Sequence, residues 1–147
     1  MHKKIAKVLR QTANSACLEK AKNLEEDVYQ TSTLNLRDLS LMPKDIIAIS
    51  DVLMQDNDSI KSISFSYNNL IGDIGATVLA RSLPSSISEI GLVDCGIGDQ
   101  GGSEILNWVK TSPNLKMICI EENNFSDKLK LEFKAFKKNN PEIMVVI

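Results

Sequence analysis

The 147-residue chain sets 17 Lys and Arg against 19 Asp and Glu, a net charge of −2, which removes any general electrostatic case for nucleic acid. Apolar residues make up 43% and charged residues 24%, an ordinary balance for one globular domain with a real core, and no apolar run approaches the roughly 18 residues of a membrane span. Three widely spaced cysteines, Cys17, Cys95 and Cys119, argue against a disulfide framework and for a reducing, cytoplasmic compartment.

The basic N-terminus is not expected to be a signal peptide, because Lys7 and Arg10 interrupt its apolar stretch. Ile5, Val8, Leu9, Ala13 and Ala16 recur at helical spacing, as do Ala21, Leu24 and Val28. The spacing predicts one long or two short helices that cap the domain over residues 1–30, ahead of strand–helix units over 31–147. A basic amphipathic helix for a membrane surface is the alternative reading of the same stretch. His2, the sole histidine, is expected in a mobile terminus.

Four strand-like segments follow in one register. Leu34 and Leu36, Ile63 and Phe65, Ile90 and Leu92, and Ile118 and Ile120 alternate as half-buried strands do. The step from Leu34 to Ile63 to Ile90 to Ile118 is 29, 27 and 28 residues. Each strand leads to a polar slot, Asn68, Cys95 or Asn123, and then an apolar one, Leu70, Ile97 or Phe125. In the first unit Leu39 departs from the polar slot and Leu41 follows it. Pro43 suits a helix start, and Ile46, Ile49, Val52 and Leu53 mark a buried helix face. Residues 56–59, Asp-Asn-Asp-Ser, read as a solvated turn, since neither a Gly nor a distal Glu completes a calcium loop. The sequons at Asn57 and Asn124 read as chance.

Gly72-Asp73-Ile74-Gly75 and Gly98-Asp99-Gln100-Gly101 occupy matching places, each Asp being suited to cap the helix that begins there. Neither is a phosphate loop, because no Gly-Lys-Ser/Thr follows. Trp108 and Val109 belong to the third helix. Leu129, Phe133 and Phe136 form the buried face of the last, whose lysines, from Lys128 to Lys138, are read as its solvated side. Ile143 to Ile147 is expected to add a closing strand.

The period, a full helix per unit and the run Phe65-Ser66-Tyr67-Asn68-Asn69-Leu70-Ile71-Gly72-Asp73-Ile74-Gly75 resemble the ribonuclease-inhibitor-like class of leucine-rich repeats. The resemblance implies a short right-handed α/β solenoid with parallel strands on a concave face and helices on a convex one. It implies that Asn68, Cys95 and Asn123 bond backbone groups of the turn and of the next unit. It also implies a binding scaffold without chemistry of its own.

Strand alternation then places recognition on the concave face. Its candidate partner-binding residues are Arg37, Asp38, Ser64, Tyr67, Glu89, Asp94, Met117, Cys119, Glu121 and Glu122. The acidic members favour a partner with a basic surface, and Arg37 and Tyr67 are residue types that anchor interfaces. No Ser–His or Cys–His pair, no metal-ligand spacing and no cofactor motif is present, so the chain is read as a non-enzyme that takes neither metal nor cofactor. The expected function is protein binding on the concave face, with self-association into a homodimer as one form of it. The alternatives are a GTPase regulator using Arg37, and a bacterial effector or membrane-associated adaptor using the basic N-terminal helix. The Lys-, Asn- and Ile-rich composition fits the effector reading, which would place the protein in a host cell.

Overall fold

The computed structural model describes residues 1–12, 14–27, 29, 31–55 and 59–147. Ala13 and Val28 of the expected N-terminal stripe, and Asp56, Asn57 and Asp58 of the expected turn, lie outside the described residues.

Two helices, α1 (His2–Arg10) and α2 (Ser15–Glu26), precede the first strand. They are separate because Asn14 caps the second one, its side chain accepting from the N–H groups of Ala16 and Cys17. Five short strands then alternate with helices: β1 (Thr33–Asn35), α3 (Pro43–Leu53), β2 (Ser62–Ser64), α4 (Gly72–Ser82), β3 (Glu89–Gly91), α5 (Asp99–Thr111), β4 (Met117–Cys119), α6 (Asp127–Asn139) and β5 (Met144–Val146). The strands form one parallel sheet in chain order, β1 to β5. Such crossovers are right-handed, so the helices share one face of the sheet, where α3 packs on α4, α4 on α5 and α5 on α6. The fold is α/β, a parallel sheet backed by helices.

Leu34, Ile63, Ile90, Ile118 and Val145 stand side by side in the register and are all buried. They meet Ile46, Leu79, Ile105, Phe133 and their helical neighbours in one continuous core. Ile5, Ala6 and Leu9 of α1 and Cys17, Ala21 and Leu24 of α2 join that core, with α1 packed on both α2 and α3. The apolar face of α1 is therefore taken up inside the protein. Asn14 Nδ2 (2.9 Å) and the Cys17 thiol (3.5 Å) both donate to the carbonyl of Leu39, tying the helical pair to the first strand's turn.

His2 departs from expectation. It is 2% exposed, with Nδ1 3.6 Å from Asp27 Oδ2, because α1 starts at His2 and packs on both α2 and α3.

The polar slots close the turns sideways. Asn68 Oδ1 accepts from the N–H groups of Leu39 (2.9 Å) and Leu41 (3.0 Å), while Nδ2 donates to the carbonyls of Leu36 and Phe65. Asn123 repeats this with the N–H groups of Cys95 and Ile97 and the carbonyls of Leu92 and Ile120. Each Asn thus reaches its own turn and the preceding unit, whereas bonds to the following unit were expected. Cys95 cannot match that pattern; its thiol donates weakly to Phe65 and Val93 carbonyls. The turn beside it is closed instead by backbone, Gly72 N–H to Cys95 C=O and Ile71 N–H to Asn68 C=O. One extra residue is accommodated there, so Ile71 is buried and Leu70, expected in the core, is 55% exposed.

The aspartates also act on their neighbours. Asp73 Oδ1 accepts from Gly98 N–H (2.9 Å) and Gly101 N–H (2.7 Å), capping α5 of the next unit, and Asp99 accepts from the N–H and hydroxyl of Ser126, the residue whose side chain caps α6. The sequence pointed to capping of each residue's own helix. Lateral capping prevails because parallel stacking brings each Asp beside the next helix's free N–H groups.

Candidate functional site on the open sheet face

On the face away from the helices the side chains form rows. Thr33, Ser62, Glu89, Met117 and Met144 make one, and Asn35, Ser64, Gly91, Cys119 and Val146 the next. A shallow hollow of about 260 Å³ lies over the middle strands. Among the expected residues it gathers Arg37, Ser64, Glu89, Met117, Cys119 and Glu121. Gly91 forms part of its floor, and a Cβ there would come within 2.7 Å of Ser64 Oγ and 2.9 Å of Ser66 Oγ. The missing side chain is therefore what lets the two serines lie flat across the sheet. Ser66 is only 3% exposed; its Oγ accepts from Val93 N–H (3.1 Å) and from Ser64 Oγ (3.3 Å), so it builds the floor, where the sequence placed it as an outward group.

Two charged groups flank the hollow with different engagements. Ser62 Oγ donates to Glu89 Oε2 at 3.1 Å. Glu121 Oε2 is shut off from solvent and accepts no hydrogen bond from the described residues. The Cys119 thiol, in the row between them, is pushed up from its ordinary pKa by burial first and then by Glu121 and Glu89. A raised thiol is a poor nucleophile, as expected for a structural cysteine. At the β1 side the guanidinium of Arg37 lies 5.0 Å from the centroid of the Tyr67 ring, a cation–π contact that joins the two expected anchors.

Asp38, Asp94 and Glu122 do not line this hollow, nor does Tyr67. These four share a conformational role that sequence reading missed. Their φ angles are 53°, 65°, 48° and 59° for Asp38, Tyr67, Asp94 and Glu122, the left-handed region. Each unit leaves its strand through that residue, and the N–H groups of Asp38, Tyr67 and Asp94 donate to Ser66, Val93 and Glu121 carbonyls next door. Asp tolerates the left-handed region, which gave a partial signal at two positions; Tyr67 and Glu122 carry none. Glu122 borders a second depression with Asn123, Lys130 and Lys134. A larger hollow of about 680 Å³ beside α6 and β5 is walled by Lys134, Lys137, Lys138 and Glu142 together with Ile143 and Met144.

No group of three or more His, Cys, Asp or Glu able to hold a metal occurs among the described residues. No helix of the described residues is long and apolar enough to cross a membrane.

No family model and no curated protein sequence matches the chain. Among solved structures it is similar to one described as the structure of Chaetomium Mex67:Mtr2 subunits, with a TM-score of 0.57 and 20% identity, over 93% of this chain and 88% of that one. At that identity the likeness is one of fold. It corrects the family expectation: the match runs to a Mex67:Mtr2 subunit and not to a ribonuclease-inhibitor-like protein, so that membership, and the leucine-rich-repeat solenoid named with it, does not stand. The reason is physical. The apolar and Asn/Cys slots encode what a parallel strand, a left-handed turn and a packed helix require locally, so sharing them reports local geometry and not descent.

Proposed function

We propose that this chain is a non-catalytic protein-binding module whose partner docks on the open sheet face. The observation that carries this is the hollow beside the Arg37–Tyr67 stack, flanked by Glu89 and Glu121 on the open face of the sheet. The short side chains of the row Ser64, Gly91 and Cys119 admit a partner close to the backbone, and the flanking aromatic and charged groups supply anchors. The similar solved structure is of Mex67:Mtr2 subunits, so the same fold occurs there within a protein assembly. Three free cysteines support a reducing, cytoplasmic setting. The GTPase-regulating reading needs Arg37 free to reach a nucleotide, and it draws no support from an Arg37 stacked on Tyr67.

The test is affinity capture from source cells with the wild-type chain and with Arg37→Ala combined with Tyr67→Asn. Asn preserves the left-handed turn that Tyr67 occupies. Proteins captured by the wild type and lost with the variant support the reading. The same proteins at the same yield on both would move the site elsewhere.

A further inference from the structure

We infer that the open face takes an extended basic segment of a protein partner, one cationic side chain held by Glu121 and a second by Glu89. The inference rests on the partner-binding reading above and names the chemistry of the partner. Charge complementarity is the first support. Both carboxylates border one hollow, and the basic group at its β1 side, Arg37, is already stacked on Tyr67. The state of Glu121 is the second. With one oxygen closed off from water and unpaired among the described residues, the Glu121 charge is weakly screened and attracts a cation placed at the mouth of the hollow. Glu89, oriented by the Ser62 hydroxyl, keeps its remaining acceptor sites for a ligand.

The register fixes the spacing. Glu89 pairs with Met117 across the strands, and Glu121 lies four residues beyond Met117. That offsets their backbone positions by up to roughly 13 Å along the strand direction, at ~3.3 Å per residue, Glu121 lying two residues past the end of β4. An extended segment spans this with side chains four residues apart, its backbone crossing the Gly91 row where no side chain obstructs it. Met117 supplies an apolar wall for an alkyl stem.

The probe is the peptide acetyl-Arg-Gly-Gly-Gly-Arg-amide, titrated into the isotope-labelled full chain at low salt and followed by amide chemical shifts. A citrulline peptide of the same shape, without charge, is the control. The expected result is saturable shifts at Gly91, Cys119 and Glu121 with the arginine peptide and none with citrulline. Glu121→Gln and Glu89→Gln should each weaken binding about tenfold, the value of one lost charge-assisted pair. Retained dispersion of the amide spectrum shows that each variant is folded. Absent shifts, shifts centred on α6, or affinity unchanged in both variants would overturn the inference. Capture that depends on Arg37 and Tyr67 while both Gln variants bind the peptide as wild type would leave the partner-binding reading standing and remove only the basic segment.

Discussion

Replacing Asn68 by Ala tests how the units are joined. Asn68 is fully buried and serves four backbone groups, the N–H of Leu39 and Leu41 and the C=O of Leu36 and Phe65. Truncation leaves all four without that partner inside the protein. At roughly 1 kcal/mol for each buried group, the lower end of the usual cost, the loss is about 4 kcal/mol. Against a typical total of about 5–15 kcal/mol that is a large share. With a urea slope of about 2 kcal/mol/M, the unfolding midpoint followed by circular dichroism should fall by roughly 2 M. Asn68→Asp keeps the acceptor for Leu39 and Leu41 and removes the donor to Leu36 and Phe65. It should also destabilise, because two carbonyls then face a carboxylate. Asn123→Ala makes the same deletion at a half-buried site, where water replaces part of what is lost, and should cost about half as much. A loss below about 1 kcal/mol for Asn68→Ala, or equal losses at Asn68 and Asn123, would refute the idea that buried lateral hydrogen bonds hold the turns together.

Other perturbations have defined signs. Gly96 has a φ of 66° and a Cβ there would strike the backbone carbonyl of Asn69, so Gly96→Ala should cost more than about 2 kcal/mol in the same urea assay. Glu121→Gln should stabilise the free chain by about 0.5–1 kcal/mol, since it removes a charge whose Oε2 is shielded from solvent and lacks a donor among the described residues; a lower midpoint would count against that account. Bonds from Ser126 hold the Asp99 carboxyl below its ordinary value of 3.8. Its stabilising contribution is therefore fully present above pH 3.8 and lost as pH falls through the lowered value, so Asp99→Asn should flatten the acid limb of a stability–pH curve and leave its shape near neutrality unchanged. Burial pushes the Cys95 thiol up to about 12 and raises Cys17 as well, so iodoacetamide at pH 8 should spare both until the chain unfolds, while half-buried Cys119 reacts slowly in the native protein.

Much of the architecture was legible along the chain. Strand alternation and the near-constant step from Leu34 to Ile118 identify the strands and the buried row, because a parallel sheet with helices on one face must repeat one apolar pattern. The same alternation sorted Ser64, Glu89, Met117, Cys119 and Glu121 onto one face. It failed at Leu70, where one extra residue in the turn moved burial to Ile71, and at Ser66, whose outward slot is roofed by its neighbours. It failed again in naming a family, because slots that any parallel strand–turn–helix unit requires cannot distinguish one lineage from another.

What the sequence by itself determined, then, is most of the core and the face that each residue within the five strands takes, since both follow from local periodicity. Only the tertiary structure decided that Asn68, Asn123, Asp73 and Asp99 serve neighbouring units, that Arg37 rests on Tyr67, and that Glu121 Oε2 stands shielded without a donor. Those contacts join residues 25 to 30 positions apart in most cases, as from Asn68 to Leu39 at a separation of 29. Their geometry depends on how adjacent units stack, and a single strand's pattern carries no record of that.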